Sequence, residues 1–438
     1  MQMEHRVYSQ ELVRQAVSEI GIPDLENATI GEVVLLAQRL EQLTGIPFIR
    51  MDQGVPGLDP CHIGTEAEKA ALDTGIPAIY PAAEGIPALK NEASRFVRAF
   101  LDIDVAPSGC IPVTGSVAGS FGSFIACCQR DPQKDTVLFI DPGFPIQKSQ
   151  LRVLGYKWEY FDVYEFRGDS LKDKIESYLE KGNISAIIYS NPNNPAWISL
   201  TESELQVIGE LATRYDAVVL EDLAYFGMDF RTDFGRPFEP PYIPTVARYT
   251  DNYILMLSSS KIFSYAGQRA AFIAISDALF HRRFEALAGR YAGSGVFGPT
   301  LTASILYMIT SGVTHSTQFG YAAMLKAASD GELDFVKETS EYARRARKMK
   351  GIFEKHGFHV VYDKDIDQAI SDGFFFTIGY KDMQCGELIR ELLHYGISSI
   401  ALSTTGSEQQ GIRACCSRME EPLYGVLDER LKAFQADH

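Results

Sequence analysis

A chain of 438 residues, 46% hydrophobic and 22% charged, is long enough for two sizeable cores and too apolar for a disordered polypeptide. Its formal net charge is −16 with both signs interspersed, which argues against a nucleic-acid binder, since that function needs a basic face. No apolar run approaches the roughly 18 residues of a membrane span. The opening stretch MQMEHRVYSQ has no apolar core of the kind a secretion signal carries, so a cytoplasmic protein is expected, with its seven cysteines as reduced thiols.

The first 45 residues read as helical. SQELVRQAVSEI begins on a capping serine, and TIGEVVLLAQRLEQLTG is amphipathic and ends on glycine. MDQGVPGLDP is a turn-rich crossing segment. From about residue 90, strands and helices alternate. KNEASRFVRAFLDI is a helix, TVLFIDPGFP a buried strand entering a loop, and ISAIIYSNPNNP repeats that form. SLTESELQVIGELATRYD is a capped helix, and AVVLEDLAYF and NYILMLSSSK are strands. Short β-rich runs separated by helices imply a mostly parallel sheet between helices. Toward the C-terminus, DFVKETSEYARRARKMKGIFEKHG reads as one long charged helix before the short strands HVVYD and GFFFTIGY. The expected organisation is a large α/β domain at 61–325 and a smaller α+β domain built from residues 1–60 and 326–438.

Three buried strands end in polar residues. AIIYS runs into Asn191-Pro-Asn-Asn194-Pro, AVVLE into Asp222 with Tyr225 three residues on, and YILML into Ser258 and Lys261. Ligands of open α/β sheets bind just beyond the carboxyl ends of the strands, so these side chains are expected in one crevice. Taken singly, the Asn-Pro run reads as a turn, Asp222 as a cap, Tyr225 as core and Lys261 as a solvated loop residue. Their ordered coincidence argues for a site.

In type, order and spacing, NPNNP, DLAY and SSSKIFSYAGQR resemble the signature of class I/II aminotransferases, pyridoxal-phosphate enzymes of fold type I, the aspartate-aminotransferase-like fold. The resemblance runs from about residue 50 to the C-terminus. It implies a seven-stranded-type sheet in the large domain and pyridoxal 5′-phosphate as cofactor. By resemblance, Lys261 forms the Schiff base and then serves as general base. Asp222 faces the ring nitrogen, and Tyr225 and Asn194 hydrogen-bond the phenolic oxygen. Gly115, Ser116 and Val117, at the start of an apparent helix, meet the phosphate with Ser258 and Arg269. Phe144 in DPGFP matches an aromatic that stacks on the ring, and otherwise reads as a core residue.

Arg413 in GIRACCS matches the arginine that grips the substrate α-carboxylate, with Arg418 a nearby competitor. Asn194 and Gly54 belong to the same substrate contact, Gly54 otherwise being a turn. Tyr80, in AIYPAAEGIPALKNEASRF, matches a tyrosine that reaches a neighbour's phosphate, which implies a homodimer with shared sites; the alternative is a tyrosine packed within its own chain. The implied reaction moves an amino group between an amino acid and a 2-oxo acid. C–S lyases, decarboxylases and cyclopropane-carboxylate synthases share these residues and stay open as alternatives. One departure stands out: Ala196-Trp197 replaces the Thr-Gly common in the family.

Other readings of the same residues are weaker. Ser258 to Lys261 is also the S-x-x-K of penicillin-binding proteins, but no K-T-G exists downstream. A ligand sensor fused to a DNA-binding module lacks its basic N-terminal segment. His356 and His359 form an H-x-x-H with an intervening glycine and no completing carboxylate, so no metal is expected.

Overall fold

The computed structural model describes residues 6–438. The chain divides into two compact units. One comprises residues 58–192 and 199–339; the other comprises, among the described residues, 6–57, 193–198 and 340–438.

The first unit is built on a seven-stranded sheet. Its strands are β1 (Cys110–Val113), β2 (Thr136–Asp141), β3 (Lys157–Asp162), β4 (Ile184–Ser190), β5 (Val218–Asp222), β6 (Tyr253–Ser258) and β7 (Ala271–Ile275). Their spatial order is β1-β7-β6-β5-β4-β2-β3, and only β7 runs antiparallel to its neighbours. All strands but β3 are buried along their whole length, so they read as continuous apolar runs and not as alternating ones. The helix Ser116–Gln129 packs across the middle strands, with Phe124, Cys127, Ile188, Leu220, Met256 and Ile273 in one core. A separate aromatic cluster joins Phe96, Phe100, Phe226, Phe263 and Phe335. The observed α/β architecture with a mostly parallel seven-stranded sheet is the one expected.

Capping chemistry sets several helix starts. Thr201 and Glu204 form a reciprocal capping box on Glu202–Arg214, and Thr29 and Glu32 do the same on Ile30–Thr44. Ser9 caps Gln10–Ile20. The charged C-terminal helix differs from expectation, being two helices, Phe335–Thr339 and Glu341–Lys355. Thr339 donates its hydroxyl to the Phe335 carbonyl at 2.7 Å, a local bond that competes with the helical ladder. The break coincides with the boundary between the units.

The second unit carries a four-stranded antiparallel sheet, in the spatial order Ile400–Ala401, Ile412–Cys415, Phe375–Tyr380, Phe358–Val360. Ile49–Arg50 pairs in parallel with Ile397–Ser398 and ties the N-terminal segment to the C-terminal one. His356 is buried between Asp428 (2.8 Å) and Gln435 (3.1 Å), a satisfied structural histidine. All seven cysteines are buried free thiols. Among the described residues, no helix is long and apolar enough to cross a membrane.

Candidate active site

Register brings the motif residues of the first unit to one edge of its sheet. Ser258 at the end of β6 lies opposite Ala271 at the start of the reversed β7, and Val113 at the end of β1 lies opposite the same residue. Arg269, two residues before β7, and Gly115, two residues after β1, therefore emerge at one end. Ser190 at the end of β4 pairs with Asp222 at the end of β5, and the Asp222 carbonyl accepts from the Asn191 amide at 3.1 Å. On the other side of Asp222, the Leu223 amide donates to the Met256 carbonyl at 3.0 Å. The reversed strand explains why residues on both sides of β7 can face the same edge as the parallel strand ends.

Asp222 is deeply buried. Burial raises its carboxyl to about 6, against the pull of the Ala224 amide and the Gln147 side chain. Those groups donate to Oδ1 and Oδ2 at 3.2 and 3.1 Å. Gln147 lies on the helix Pro145–Leu154, opened by Phe144, whose ring is half-buried. The motifs of the sequence do not mark Gln147, because it comes from a different strand-to-helix connection. Tyr225 is buried three residues beyond Asp222.

Lys261 is half-buried on the single turn Ser259–Ile262. Ser258 caps this turn, its Oγ accepting from the Ser260 amide at 3.1 Å. Lys148 is paired with Asp141, Lys134 donates to the Tyr215 carbonyl at 2.6 Å, and Lys348 pairs with Glu421 at 2.6 Å.

At the start of Ser116–Gln129 the structure has the attributes of an anion cradle. The helix start has no side-chain cap. Ser116 Oγ is buried with no hydrogen-bond partner among the described residues. Gly115 has φ 77°, and a Cβ there would run into the Arg269 guanidinium, so that cation stands over the helix start. A helix start without a side-chain cap, an orphaned hydroxyl and a guanidinium together suit a phosphate group. Val117 occupies the first turn of the same helix. Tyr80, by contrast, is 90% exposed, so it is not packed within its own chain.

In the second unit, Arg413 is fully buried on the strand Ile412–Cys415. Its guanidinium donates to Asn194 Oδ1 at 3.2 Å and to the Asp52 carbonyl at 2.6 Å. It lies over the Phe375 ring, 4.5 Å from the centroid. Gly54 borders the same ring, since a Cβ on it would stand 3.0 Å from Phe375 Cζ. Asn194 belongs to this unit because residues 193–198 do. Trp197, fully buried, takes φ 66°. That left-handed conformation costs a bulky residue roughly 1–2 kcal/mol and is natural for glycine. It accounts physically for a glycine being common where this chain has Trp197.

The description "Aminotransferase class I and II" belongs to the family model that matches residues 46–431. An aspartate aminotransferase of Pyrococcus horikoshii is 27% identical over 251 residues, 57% of this chain and 60% of that protein. The chain thus spans well under two thirds of that relative. A glutamate-pyruvate aminotransferase of Escherichia coli is 25% identical over 320 residues, 71% of this chain and 68% of that protein. Among solved structures, an alanine aminotransferase from Pyrococcus furiosus superposes with TM-score 0.75 at 20% identity, covering 96% of this chain and 99% of that one. A Thermus thermophilus aspartate aminotransferase double mutant gives 0.74 at 17% identity, covering 93% and 96%. These two likenesses concern the fold. With the match of the family model across most of its length, the chain belongs to the class I and II aminotransferases.

Proposed function

We propose that the protein is a pyridoxal-phosphate-dependent aminotransferase that moves an amino group between an amino acid and a 2-oxo acid. The observation that carries this reading is the alignment of Asp222, Ser258, Lys261 and the Ser116–Arg269 cradle along one edge of the sheet. Family membership supports it.

The residues divide the work by their chemistry. Gly115, Ser116, Val117, Ser258 and Arg269 would hold the cofactor phosphate. Phe144 would cover one face of the ring, and Tyr225 and Asn194 would hydrogen-bond its phenolic oxygen. When bound, the cofactor supplies an electron sink for the substrate Cα. Asp222 would present a carboxylate to the ring nitrogen and favour its protonated form. Its burial in a low-dielectric surround strengthens that charge pairing. The Lys261 amine would hold the cofactor through its aldehyde and would serve as the base that moves a proton at the substrate Cα. Arg413, with Asn194 and the Gly54 backbone, would fix the substrate α-carboxylate through a planar fork.

The test is direct. The protein is loaded with pyridoxal phosphate and given each common amino acid with 2-oxoglutarate or pyruvate. Appearance of the new amino acid, without ammonia, carbon dioxide or thiol release, is the expected result. Release of one of those products without amino transfer would overturn the reaction class while leaving the cofactor assignment standing.

Gly115→Ala tests the phosphate cradle. The new methyl displaces the Arg269 guanidinium and strains a φ of 77°. Cofactor affinity, read by fluorescence titration, is expected to fall on the order of tenfold or more, the scale of one charge-assisted bond. Unchanged affinity would remove Arg269 from the phosphate.

We further propose a homodimer in which Tyr80 reaches the neighbour's phosphate. The 90% exposure of this tyrosine supports it, with Ile79 and Met308 also exposed at 60% and 74%. Tyr80→Ala and Lys261→Ala chains, each first confirmed as poor catalysts, are unfolded and refolded together. If Tyr80 acts across the interface, one site per heterodimer is wild type and activity returns, up to about half the wild-type value. If it acts within its own chain, every site keeps one defect and no activity returns.

A further inference from the structure

We propose that Trp197 is a positioning residue that braces the carboxylate clamp Arg413 through the ring of Phe375. The proposal rests on the reading of Arg413 as the substrate-carboxylate ligand. It begins from an outlier: a tryptophan buried completely, in a backbone conformation suited to glycine. Such a conformation persists only where the surroundings over-determine it, and it clusters at functional sites.

The surroundings do over-determine it. The Trp197 amide donates to the Asn193 carbonyl at 3.1 Å, and the Asn193 amide donates to the Ile198 carbonyl at 2.8 Å, closing the loop on itself. Asn193 Oδ1 accepts from the Ala196 amide at 3.0 Å. The indole lies directly against Gly373, where any Cβ would overlap the ring. Gly373 thus clears the space that Trp197 fills. The indole meets Phe375 edge-to-face, with centroids 6.3 Å apart at 69°. Phe375 in turn carries the Arg413 guanidinium on its face at 4.5 Å. That guanidinium is held laterally by Asn194, three residues before Trp197 on the same loop, and by the Asp52 carbonyl. Asp52 is itself pinned by Arg50 at 2.9 and 2.8 Å and by Ser398 at 2.5 Å.

One loop, 193–198, therefore positions the clamp twice: directly through Asn194, and indirectly through Trp197 and Phe375. An edge-to-face contact directs the positive edge of one ring at the negative face of another, and a cation prefers the ring face. Trp197 fixes the tilt of Phe375, and that tilt sets the height of the guanidinium. A glycine at 197 relieves the backbone strain but takes the indole away from Phe375, leaving Phe374, 5.1 Å away at 67°, to meet that ring.

The test reads carboxylate binding directly, apart from turnover. Cofactor-loaded protein is titrated with trifluoroacetate, and the dissociation constant is taken from fluorine NMR. Trp197→Gly is expected to weaken binding about tenfold, the scale of losing one well-held guanidinium geometry. Trp197→Phe, which keeps an aromatic ring at this place, is expected to recover at least about half of that loss on a logarithmic scale. Indole added to Trp197→Gly should restore affinity by filling the space. A change below about threefold in Trp197→Gly, a size ordinary for surface substitutions, overturns the brace whatever happens to the melting temperature. So does a Trp197→Phe variant as weak as Trp197→Gly. If Trp197→Gly does not fold, Gly373→Ala displaces the indole without deleting it and is judged by the same threefold line. Arg413→Lys is the control: if it leaves trifluoroacetate binding unchanged, the carboxylate assignment fails in place of the brace.

Discussion

Lys261→Ala is expected to abolish amino transfer while the protein still binds pyridoxal phosphate. The loss should reach at least about 10⁴-fold, the upper end for a positioned proton-transfer group, because the proposed nucleophile goes with it. The residues proposed to hold the phosphate all remain in this variant. Ser116, Gly115 and Arg269 come from the two ends of other elements, and Ser258 caps its turn through a backbone amide. Equilibrium dialysis should show bound cofactor, and the yellow absorbance of the lysine-linked form should be missing. Activity near wild type would remove Lys261 from the chemistry. Lys134, Lys148 and Lys348 would then be next, although each is already engaged by a carbonyl or carboxylate.

Asp222→Asn should separate catalysis from stability. Its removal takes away a preorganised charge, so turnover is expected to fall about 10²–10³-fold, the loss seen for one such partner. Cofactor-free protein should respond in the opposite sense. Burial raises the Asp222 carboxyl to about 6 in the folded state. An unfolded aspartate titrates near 4, so the folded protein binds the extra proton between these values. The stability from this group is full below about pH 4 and is lost as the pH rises through about 6. At pH 7.5 an asparagine avoids that loss, and roughly 1–3 kcal/mol of stabilisation is expected for the apoprotein. At pH 4 the difference should vanish. Asp141 and Glu221, each raised to about 7 chiefly by burial, add a similar slope to both proteins, so the difference between them isolates Asp222. Urea unfolding at the two pH values reads the effect. A variant no more stable at pH 7.5, with activity within about tenfold of wild type, would make Asp222 a capping residue.

What could be read in the sequence was whatever chemistry is local along the chain. Buried strands appear as β-branched runs, and a polar residue at the end of such a run marks a strand end. That is why Asp222 and Ser258 are legible as strand-end residues, with Asn194 and Lys261 in the connections that follow. The capped start of Glu202–Arg214 was legible for the same reason, since Thr201 and Glu204 lie within one turn. The left-handed backbone at Trp197 left a trace only as an unexpected residue after NPNNP.

The partners that arrive from elsewhere in the chain were decided by tertiary structure. Gln147 reaches Asp222 across 75 positions. Trp197, Gly373, Phe375 and Arg413 come from three separate segments. The reversal of β7, which brings Arg269 to Gly115, depends on strand order, and order is set by which edges pair after collapse. The loop 193–198 joins the unit of the chain termini although it interrupts the other unit in sequence. Periodicity reports which face of an element is buried. It carries no information on which other element does the burying, because that choice rests on non-local packing and loop closure.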